Sequence, residues 1–222
     1  LIPRLLALVN ADGARYDYLL GERLGRTVSK EQYAFVYNTA TLEADVRNAY
    51  TVGDPDDLLH REPFVATFRA RGAPAEEAFT FKLVNIHTDP DEVEQELNFL
   101  DDVFLAVRND GDNEDDVIVL GDLNASEYEL GQLGALAGIT CAINGVPTNT
   151  RGTKTYDNLV FDSRSTEEFT GRGEVFDMVR QFNISTDDAL AISDHLPVWG
   201  EFSVYEGGTR GGFAARPEDS VR

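Results

Sequence analysis

Residues 117–126 read VIVLGDLNAS and predict a strand at the centre of a sheet. Val117–Leu120 are four consecutive apolar residues, three of them β-branched, as in strands that are buried on both faces. Gly121 is predicted to end this strand just before Asp122 and Asn124. Their i, i+2 spacing on an extended segment would direct both side chains to the same side, where they could share one ligand. A carboxylate and a carboxamide suit Mg²⁺, although such a pair taken alone is more often part of a β-turn.

Polar residues also stand at the ends of other apolar runs. His87 closes the run Leu83–Ile86, His195 precedes the run that begins at Leu196, and Asp157 opens the run that ends at Phe161. Any one of these residues is more often a structural side chain at a strand end than a ligand or a catalyst. Together they indicate several strands of one sheet that end in groups able to do chemistry.

The motifs around His87, Asp122, Asp157 and His195 resemble those of the endonuclease/exonuclease/phosphatase superfamily, and within it most closely the deoxyribonuclease I family. The resemblance runs from about Tyr16 to Phe202, and the motifs follow the family's order. The residue pattern alone predicts only a mixed α/β protein. The resemblance implies a four-layered sandwich of two mainly antiparallel sheets flanked by helices.

The resemblance also implies a role for each candidate residue in phosphodiester hydrolysis. His195, oriented by Asp157, would be the general base toward water. His87, oriented by Glu31, would donate a hydrogen bond or a proton to the phosphate or the leaving oxygen. The remaining implied residues bind metal or phosphate: Asp122 and Asn124 for the metal and the phosphate, Asp194 for the metal region, and Arg26 and Arg61 for substrate phosphates.

Residue patterns alone favour plainer explanations for part of this set. Arg26 and Glu31 lie in the predicted loop Gly25–Glu31, which without the resemblance is typical of a solvated charged hairpin loop. A lone arginine ahead of a strand, such as Arg61, is more often a guard against edge-to-edge aggregation. His60 is predicted to be an ordinary surface histidine.

The chain also departs from the family pattern. The family's first two strands and the metal-binding glutamate that ends the second are not found, so the domain is predicted to be incomplete at its N-terminus, through truncation or because a segment lies upstream. Ser29 stands where the family has a tyrosine that contacts the DNA groove, which puts stacking on a duplex in doubt. Cys141 is the only cysteine, so the family's disulfide positions are absent.

Composition indicates one acidic domain with a tail. With 222 residues, of which 42% are hydrophobic, the chain can bury a large core, and we assign residues 1–205 to one domain and 206–222 to a flexible tail or linker. The formal charge is −21, and only three of the 19 basic residues are lysines, as in surfaces adapted to high salt. Overall charge therefore argues against nonspecific nucleic-acid binding, although a local arginine cluster could supply it. No apolar run approaches the length of a membrane span.

Local patterns predict the other elements. Pro3 begins a short amphipathic helix, residues 41–52 form one strand, and Asp89–Pro90 starts a long helix that continues to Val107 and has a solvated acidic outer face. A mixed segment at 127–137 is predicted to be helical. A strand near 174–179, a helix near 186–190 and a last strand at 196–204 follow.

Three functions from different classes remain open at this stage. The first is a metal-dependent endonuclease that cleaves DNA with Mg²⁺, or with Mn²⁺ or Ca²⁺, as cofactor. The second is a phosphodiesterase or phosphatase of the same superfamily that acts on a small phosphoester. The third is a truncated, catalytically silent domain. The substrate, the oligomeric state and the compartment, secreted or cytoplasmic, are left undecided.

Overall fold

A computed structural model describes residues 1–26 and 30–208. Predictions for Ser29 and for the tail beyond residue 208 fall outside these residues. The strands are β1 (Tyr16–Leu24), β2 (Glu31–Asn38), β3 (Leu42–Ala44), β4 (Tyr50–Thr51), β5 (Phe64–Ala70), β6 (Thr80–His87), β7 (Val117–Asp122), β8 (Ile139–Cys141), β9 (Asp157–Asp162), β10 (Phe169–Val175) and β11 (Val198–Phe202). The helices are α1 (Ile2–Val9), α2 (Val93–Leu97), α3 (Leu100–Arg108), α4 (Gly131–Ala135), α5 (Met178–Phe182) and α6 (Thr186–Ile192).

A seven-stranded sheet forms the middle of the molecule. Its strand order is β3-β5-β6-β7-β9-β8, and β4 pairs with the same strand as β3, which is β5. The pair β6–β7 is parallel, whereas the other pairs in this sheet are antiparallel. β7 lies between β6 and β9, and Val117, Ile118 and Val119 are each at most 2% exposed. The predicted central, doubly buried strand is therefore confirmed.

A second layer of strands covers one face of the central sheet. It consists of two separate antiparallel pieces, β1–β2 and β10–β11. Aromatic side chains fill the space between the layers: the rings of Phe35 and Phe64 stack with centroids 5.4 Å apart, and Phe161 contacts Phe202 edge-on at 5.6 Å. Such contacts bury large apolar areas and hold the two layers together.

Helices cover the opposite face. Leu97 of α2, Leu100 and Phe104 of α3 and Leu133 of α4 are at most 1% exposed and pack in one cluster with the other face of β7. α1 contacts β1, a strand of the second layer. The predicted α/β sandwich with mainly antiparallel sheets and flanking helices is confirmed.

The central strand is longer than predicted, because it continues through Gly121 to Asp122. Gly121 has a φ of +139°, and a Cβ at this position would collide with the backbone carbonyl of Ile86 in the neighbouring strand. Only glycine permits this conformation and this close approach. The glycine therefore keeps β6 and β7 paired up to the point where their polar residues begin.

Three other boundaries correct the sequence-based expectations. Residues 41–52 form the short strands β3 and β4, because Asp45 accepts a hydrogen bond from the Arg47 amide and turns the chain between them. The helix predicted from Asp89 begins only at Val93 and is interrupted before α3, where the Asn98 side chain accepts from the Gln132 amide at the start of α4. The strand predicted near 174–179 is β10, which ends at Val175 and is followed by α5.

None of the helices in residues 1–26 and 30–208 is both long enough and apolar enough to cross a bilayer.

Candidate active site

One row of side chains crosses three neighbouring strands at the same edge of the central sheet. In the strand register, His87 at the end of β6 is opposite Asp122 at the end of β7, and Asp122 is opposite Asp157 at the start of β9. β9 runs antiparallel to β7, so its first residue lies beside the last residue of β7. Strand pairing alone therefore brings one histidine and two carboxylates together.

His87 is held from two sides. Its Nδ1 lies 2.6 Å from Oε2 of Glu31, the first residue of β2, and its backbone amide donates to the Tyr33 hydroxyl at 2.9 Å. Its other ring nitrogen, Nε2, lies 3.4 Å from Oδ2 of Asp122. The second layer of strands thus orients this imidazole, because both Glu31 and Tyr33 belong to β2.

His195 approaches the row from the loop between α6 and β11. Hydrogen bonds between residues 148–150 and 194–196 align this loop with the segment that leads into β9. His195 Nδ1 then lies 2.8 Å from Oδ2 of Asp157, and its Nε2 lies 3.7 Å from Oδ2 of Asp122. The Tyr156 ring stacks on the imidazole with centroids 5.6 Å apart. Each histidine therefore contacts the carboxylate that the resemblance assigned to it.

The pKa of His195 is raised, which suits a base whose protonated form must be stabilised. Burial by itself lowers the pKa, but the hydrogen bond and the charge of Asp157 outweigh it, with smaller contributions from Asp122 and Asp194. Burial raises the pKa of Asp157, against the opposing effect of its hydrogen bonds from Thr148 and His195.

Thr148 is a residue of this site that sequence reasoning missed. Its hydroxyl donates to Oδ2 of Asp157 at 2.7 Å and accepts from the amides of Tyr156 and Asp157 at 2.9 and 3.0 Å. The side chain is fully buried. Thr148 therefore fixes the carboxylate that orients His195. The polar loop sequence gave no signal for this role, since the partner is nine residues further along the chain.

Asp122 and Asn124 converge for a reason other than the predicted one. Asn124 has a φ of +49°, so the segment is not extended, and its amide N–H donates to Oδ1 of Asp122 at 3.0 Å. The Asn124 side-chain nitrogen donates to the Thr88 carbonyl at 3.0 Å, which leaves the amide oxygen as its ligand atom. The turn that contains Asp122 and Asn124 is therefore itself part of the candidate site.

The donor atoms at this edge fit a hard divalent cation. One ligand atom from each of Asp122, Asp157 and His195 lies within 4.8 Å of the others, and Asn124, whose backbone amide donates to Asp122, carries a further amide oxygen. Oxygen donors are the ligands that Mg²⁺ and Ca²⁺ prefer. Asp157 accepts its hydrogen bonds from Thr148 and His195 at Oδ2, whereas Asp122 accepts the Asn124 amide at Oδ1. Asp194 is exposed and is not part of this group, so its metal role stays a prediction.

Curated relatives are about one third identical to this chain over the aligned residues. Deoxyribonuclease-1-like 1 of Homo sapiens is 35% identical over 209 residues, which cover 89% of this chain and 67% of that protein. The chain belongs to the deoxyribonuclease-1-like family. Deoxyribonuclease-1-like 1 of Cricetulus griseus is 37% identical over 85% of this chain, and deoxyribonuclease gamma of Rattus norvegicus is 31% identical over 88%. The chain spans 63% and 67% of the lengths of these two relatives. No family model matches the sequence.

Solved structures support the same fold. The endonuclease/exonuclease/phosphatase from Bacteroides vulgatus aligns with a TM-score of 0.58 at 13% identity, covering 90% of this chain and 80% of that one. A humanized D. rerio TDP2 aligns with the same TM-score at 15% identity, covering 91% and 81%. At these identities the likeness concerns the fold of this deoxyribonuclease-1-like chain.

Arg26 is engaged by protein groups. Its Nε lies 3.0 Å from Oδ1 of Asp57, its Nη1 lies 2.9 Å from Oε2 of Glu92, and its Nη2 donates to the carbonyls of Asp57 and Leu59. The side chain is 30% exposed. A substrate phosphate would have to displace these partners, so the phosphate-binding role of Arg26 stays a prediction.

Arg61 is buried, so it does not guard an exposed strand edge, and its phosphate-binding role stays a prediction. It is 5% exposed, and its guanidinium donates to the carbonyls of His87 and Thr88 at 2.9 and 3.0 Å and to Oε1 of Glu31 at 3.2 Å. Arg61 thus ties together the two segments that carry His87 and its carboxylate. This is a supporting role for the site.

His60 also differs from its prediction as a surface residue. It is 8% exposed, its Nδ1 lies 3.3 Å from Oδ2 of Asp89, and its amide donates to Oε1 of Glu96. Glu96 is fully buried and also accepts from the Asp89 amide at 2.6 Å, so the acidic face of α2 is not solvated throughout. These contacts fasten α2 beneath the loop that follows His87.

Proposed function

We propose that this chain acts as a metal-dependent endonuclease that hydrolyses the phosphodiester bonds of DNA. The observation that carries the proposal is the row in which Asp122 faces the Nε2 atoms of two histidines, each held at Nδ1 by its own carboxylate. Curated relatives named as deoxyribonucleases support DNA as the substrate.

His195 would be the general base. Because Asp157 holds Nδ1, the neutral imidazole carries its proton there and keeps the lone pair of Nε2 directed into the row. Nε2 can then take a proton from a water molecule that attacks phosphorus. The hydrogen bond and the charge of Asp157 would stabilise the imidazolium that results, and they also raise the pKa of His195.

His87 would act on the other side of the scissile phosphate. Glu31 accepts a hydrogen bond from its Nδ1, and in the protonated ring Nε2 would also carry a proton, which it could donate as a hydrogen bond to a non-bridging oxygen or transfer to the leaving oxygen.

Asp122 and Asn124 would hold the metal ion, with Mg²⁺ as the best match to their oxygen donors. When bound, the ion neutralises charge on the phosphate oxygens. The protein groups around it keep Asp122 in place, since the Asn124 amide binds one of its carboxylate oxygens.

A second candidate is hydrolysis of a small phosphoester by the same residues. The specific observation in its favour is that Arg26 and Arg61 donate to protein groups, while the chain carries a formal charge of −21. A long DNA backbone needs cationic contacts beyond the reacting phosphate, whereas a small phosphoester does not.

The deciding experiment compares supercoiled-plasmid nicking with hydrolysis of bis(p-nitrophenyl) phosphate, each with Mg²⁺ and with EDTA. We expect plasmid nicking that EDTA abolishes and that His195→Ala lowers by roughly 10²- to 10⁴-fold, since this is the usual contribution of a general base. Asp12→Asn, an exposed change outside the site, serves as the matched control and should leave the rate unchanged.

Hydrolysis of the small diester alone, with the same dependence on His195, would replace the first candidate by the second. A folded chain that attacks neither substrate would overturn both and would favour a silent domain. Circular dichroism of each variant establishes folding before activity is compared.

A further inference from the structure

A second group of carboxylates lies at the opposite end of β7 from the candidate active site. We call Asp116, Glu168 and Glu206 the distal carboxylate cluster, because one oxygen of each lies within 4.8 Å of the others. Asp116 immediately precedes β7, whereas Asp122 ends it. At the usual rise of a strand the two positions are roughly 20 Å apart, so the cluster is separate from the active-site row.

The cluster contains buried oxygen atoms without partners. Asp116 and Glu168 are each 1% exposed, and among residues 1–26 and 30–208 neither Oδ1 of Asp116 nor Oε2 of Glu168 has a hydrogen-bond partner. Thr166 is also 1% exposed, and its hydroxyl lies close enough to Asp116 to act on that carboxyl, yet completes no hydrogen bond of normal geometry. Buried polar atoms in native proteins nearly always have a partner, so three such atoms at one place indicate a missing ligand.

Within the part of the chain that the structure describes, no basic side chain balances the charge of the cluster. Among the ion pairs of residues 1–26 and 30–208, none includes Asp116, Glu168 or Glu206. Lys82, whose backbone amide donates to the Asp116 carbonyl, directs its ammonium group to Asp110 and Asp112 instead. Buried carboxylates without a counter-charge are strongly destabilising.

We propose that the distal carboxylate cluster binds a Ca²⁺ ion. All donors on offer are oxygens, namely three carboxylates and the Thr166 hydroxyl, which suits a hard cation. Ca²⁺ tolerates irregular arrangements of six to eight oxygens, whereas Mg²⁺ demands near-octahedral geometry and keeps most of its water. The burial of Asp116 and Glu168 therefore favours Ca²⁺ of the two.

The ion would fasten the end of the described chain to the central sheet. Glu168 Oε1 accepts from the Gly207 amide at 2.6 Å, and Glu206 Oε2 accepts from the Thr80 amide at the start of β6 at 3.1 Å. Residues from three distant parts of the sequence thus meet at this point. Ca²⁺ would remove the repulsion between their carboxylates and so stabilise the fold without entering the reaction.

The test measures thermal unfolding against CaCl₂ concentration in the Asp122→Asn variant, which weakens cation binding at the active-site row. We expect the melting temperature to rise by about 5–10 °C when Ca²⁺ is a hundredfold above its Kd. Adding Glu168→Gln should abolish this rise. Glu167→Gln is the matched control, because it removes the same charge from the exposed neighbouring residue, and it should retain the rise.

Melting temperatures in EDTA show how each substitution affects the stability of the metal-free protein. Removing one of several repelling carboxylates should raise the melting temperature of the metal-free protein, so Glu168→Gln is expected to fold. Equilibrium dialysis with radioactive Ca²⁺ should give one ion per chain in Asp122→Asn and none after the second change. Absence of binding in Asp122→Asn, or a Ca²⁺ response that survives Glu168→Gln, would overturn the proposal. Protons shared between the carboxylates would then be what neutralises the charge of the cluster.

Discussion

Single residues decide whether the two histidines of the site can work, and some of these residues carry no recognisable motif. His87, Asp122, Asp157 and His195 could be selected from the sequence because they stand at the ends of apolar runs in the order of a known family. Thr148 and Tyr33 could not, because their importance comes from hydrogen bonds to Asp157 and to the His87 amide that exist only after folding.

Thr148 gives the prediction at this scale. Thr148→Val removes the hydroxyl that donates to Asp157 and should lower kcat about 10- to 100-fold with little change in KM, as is usual when a supporting hydrogen bond behind a site residue is lost. Thr148→Ser keeps the hydroxyl and should restore most of the rate. Steady-state kinetics on plasmid DNA or the small diester measures both.

A purely structural role for Thr148 predicts a different outcome. In that case the variants Thr148→Val and Thr148→Ser would have a lower free energy of unfolding and a smaller fraction of active enzyme. The kcat per folded molecule would stay unchanged. Active-site titration or unfolding curves run in parallel distinguish the two.

Elements were predictable where their burial pattern is simple. The central strand β7 is buried on both faces and reads as an unbroken apolar run, so its identity followed directly. The break between α2 and α3 did not, because Asn98 binds the start of α4 rather than its own helix. Tertiary contacts of this kind override a regular helical spacing.

Arg61 gives the prediction at the scale of elements, since it connects the segment before β5 to the end of β6 and to the start of β2. Arg61→Ala would leave Glu31 and two carbonyls without their buried cation. The expected loss in the free energy of unfolding is about 1–3 kcal/mol, the usual cost of leaving a buried acceptor without its hydrogen bond. Urea unfolding followed by tryptophan fluorescence measures it.

Arg69→Ala is the comparison for that experiment. Arg69 also pairs with a glutamate, at 2.6 Å, but its side chain is 40% exposed, and exposed pairs contribute little. If both substitutions lower the free energy of unfolding by the same amount, the burial of Arg61 does not explain its contribution to stability. An Arg61→Ala protein as stable as the parent would remove its proposed supporting role.

At the scale of the whole molecule, the layer order was predictable from the family resemblance, whereas the division of the second layer into β1–β2 and β10–β11 was not. The balance of charge is another global property. With 40 acidic and 19 basic residues, repulsion acts across the entire surface and is not assigned to any one contact.

Salt should therefore stabilise this protein. Screening shortens the range of the repulsion from about 10 Å at 0.1 M to about 3 Å at 1 M, so the melting temperature is expected to rise with NaCl over that range. The measurement is made in EDTA, which excludes divalent cations, with KCl as a second salt. A flat or falling melting temperature would contradict the interpretation of the acidic surface as a high-salt adaptation.

The register that joins β6, β7 and β9 has a consequence for how the protein reaches its native state. Glu31 meets His87 across 56 positions of the sequence, and Asp157 meets His195 across 38. Contacts between such distant positions form slowly, because long loops must close first. The catalytic groups therefore assemble only when the sheet is complete, and recovery of hydrolytic activity during refolding would mark the last stage of folding rather than the first collapse.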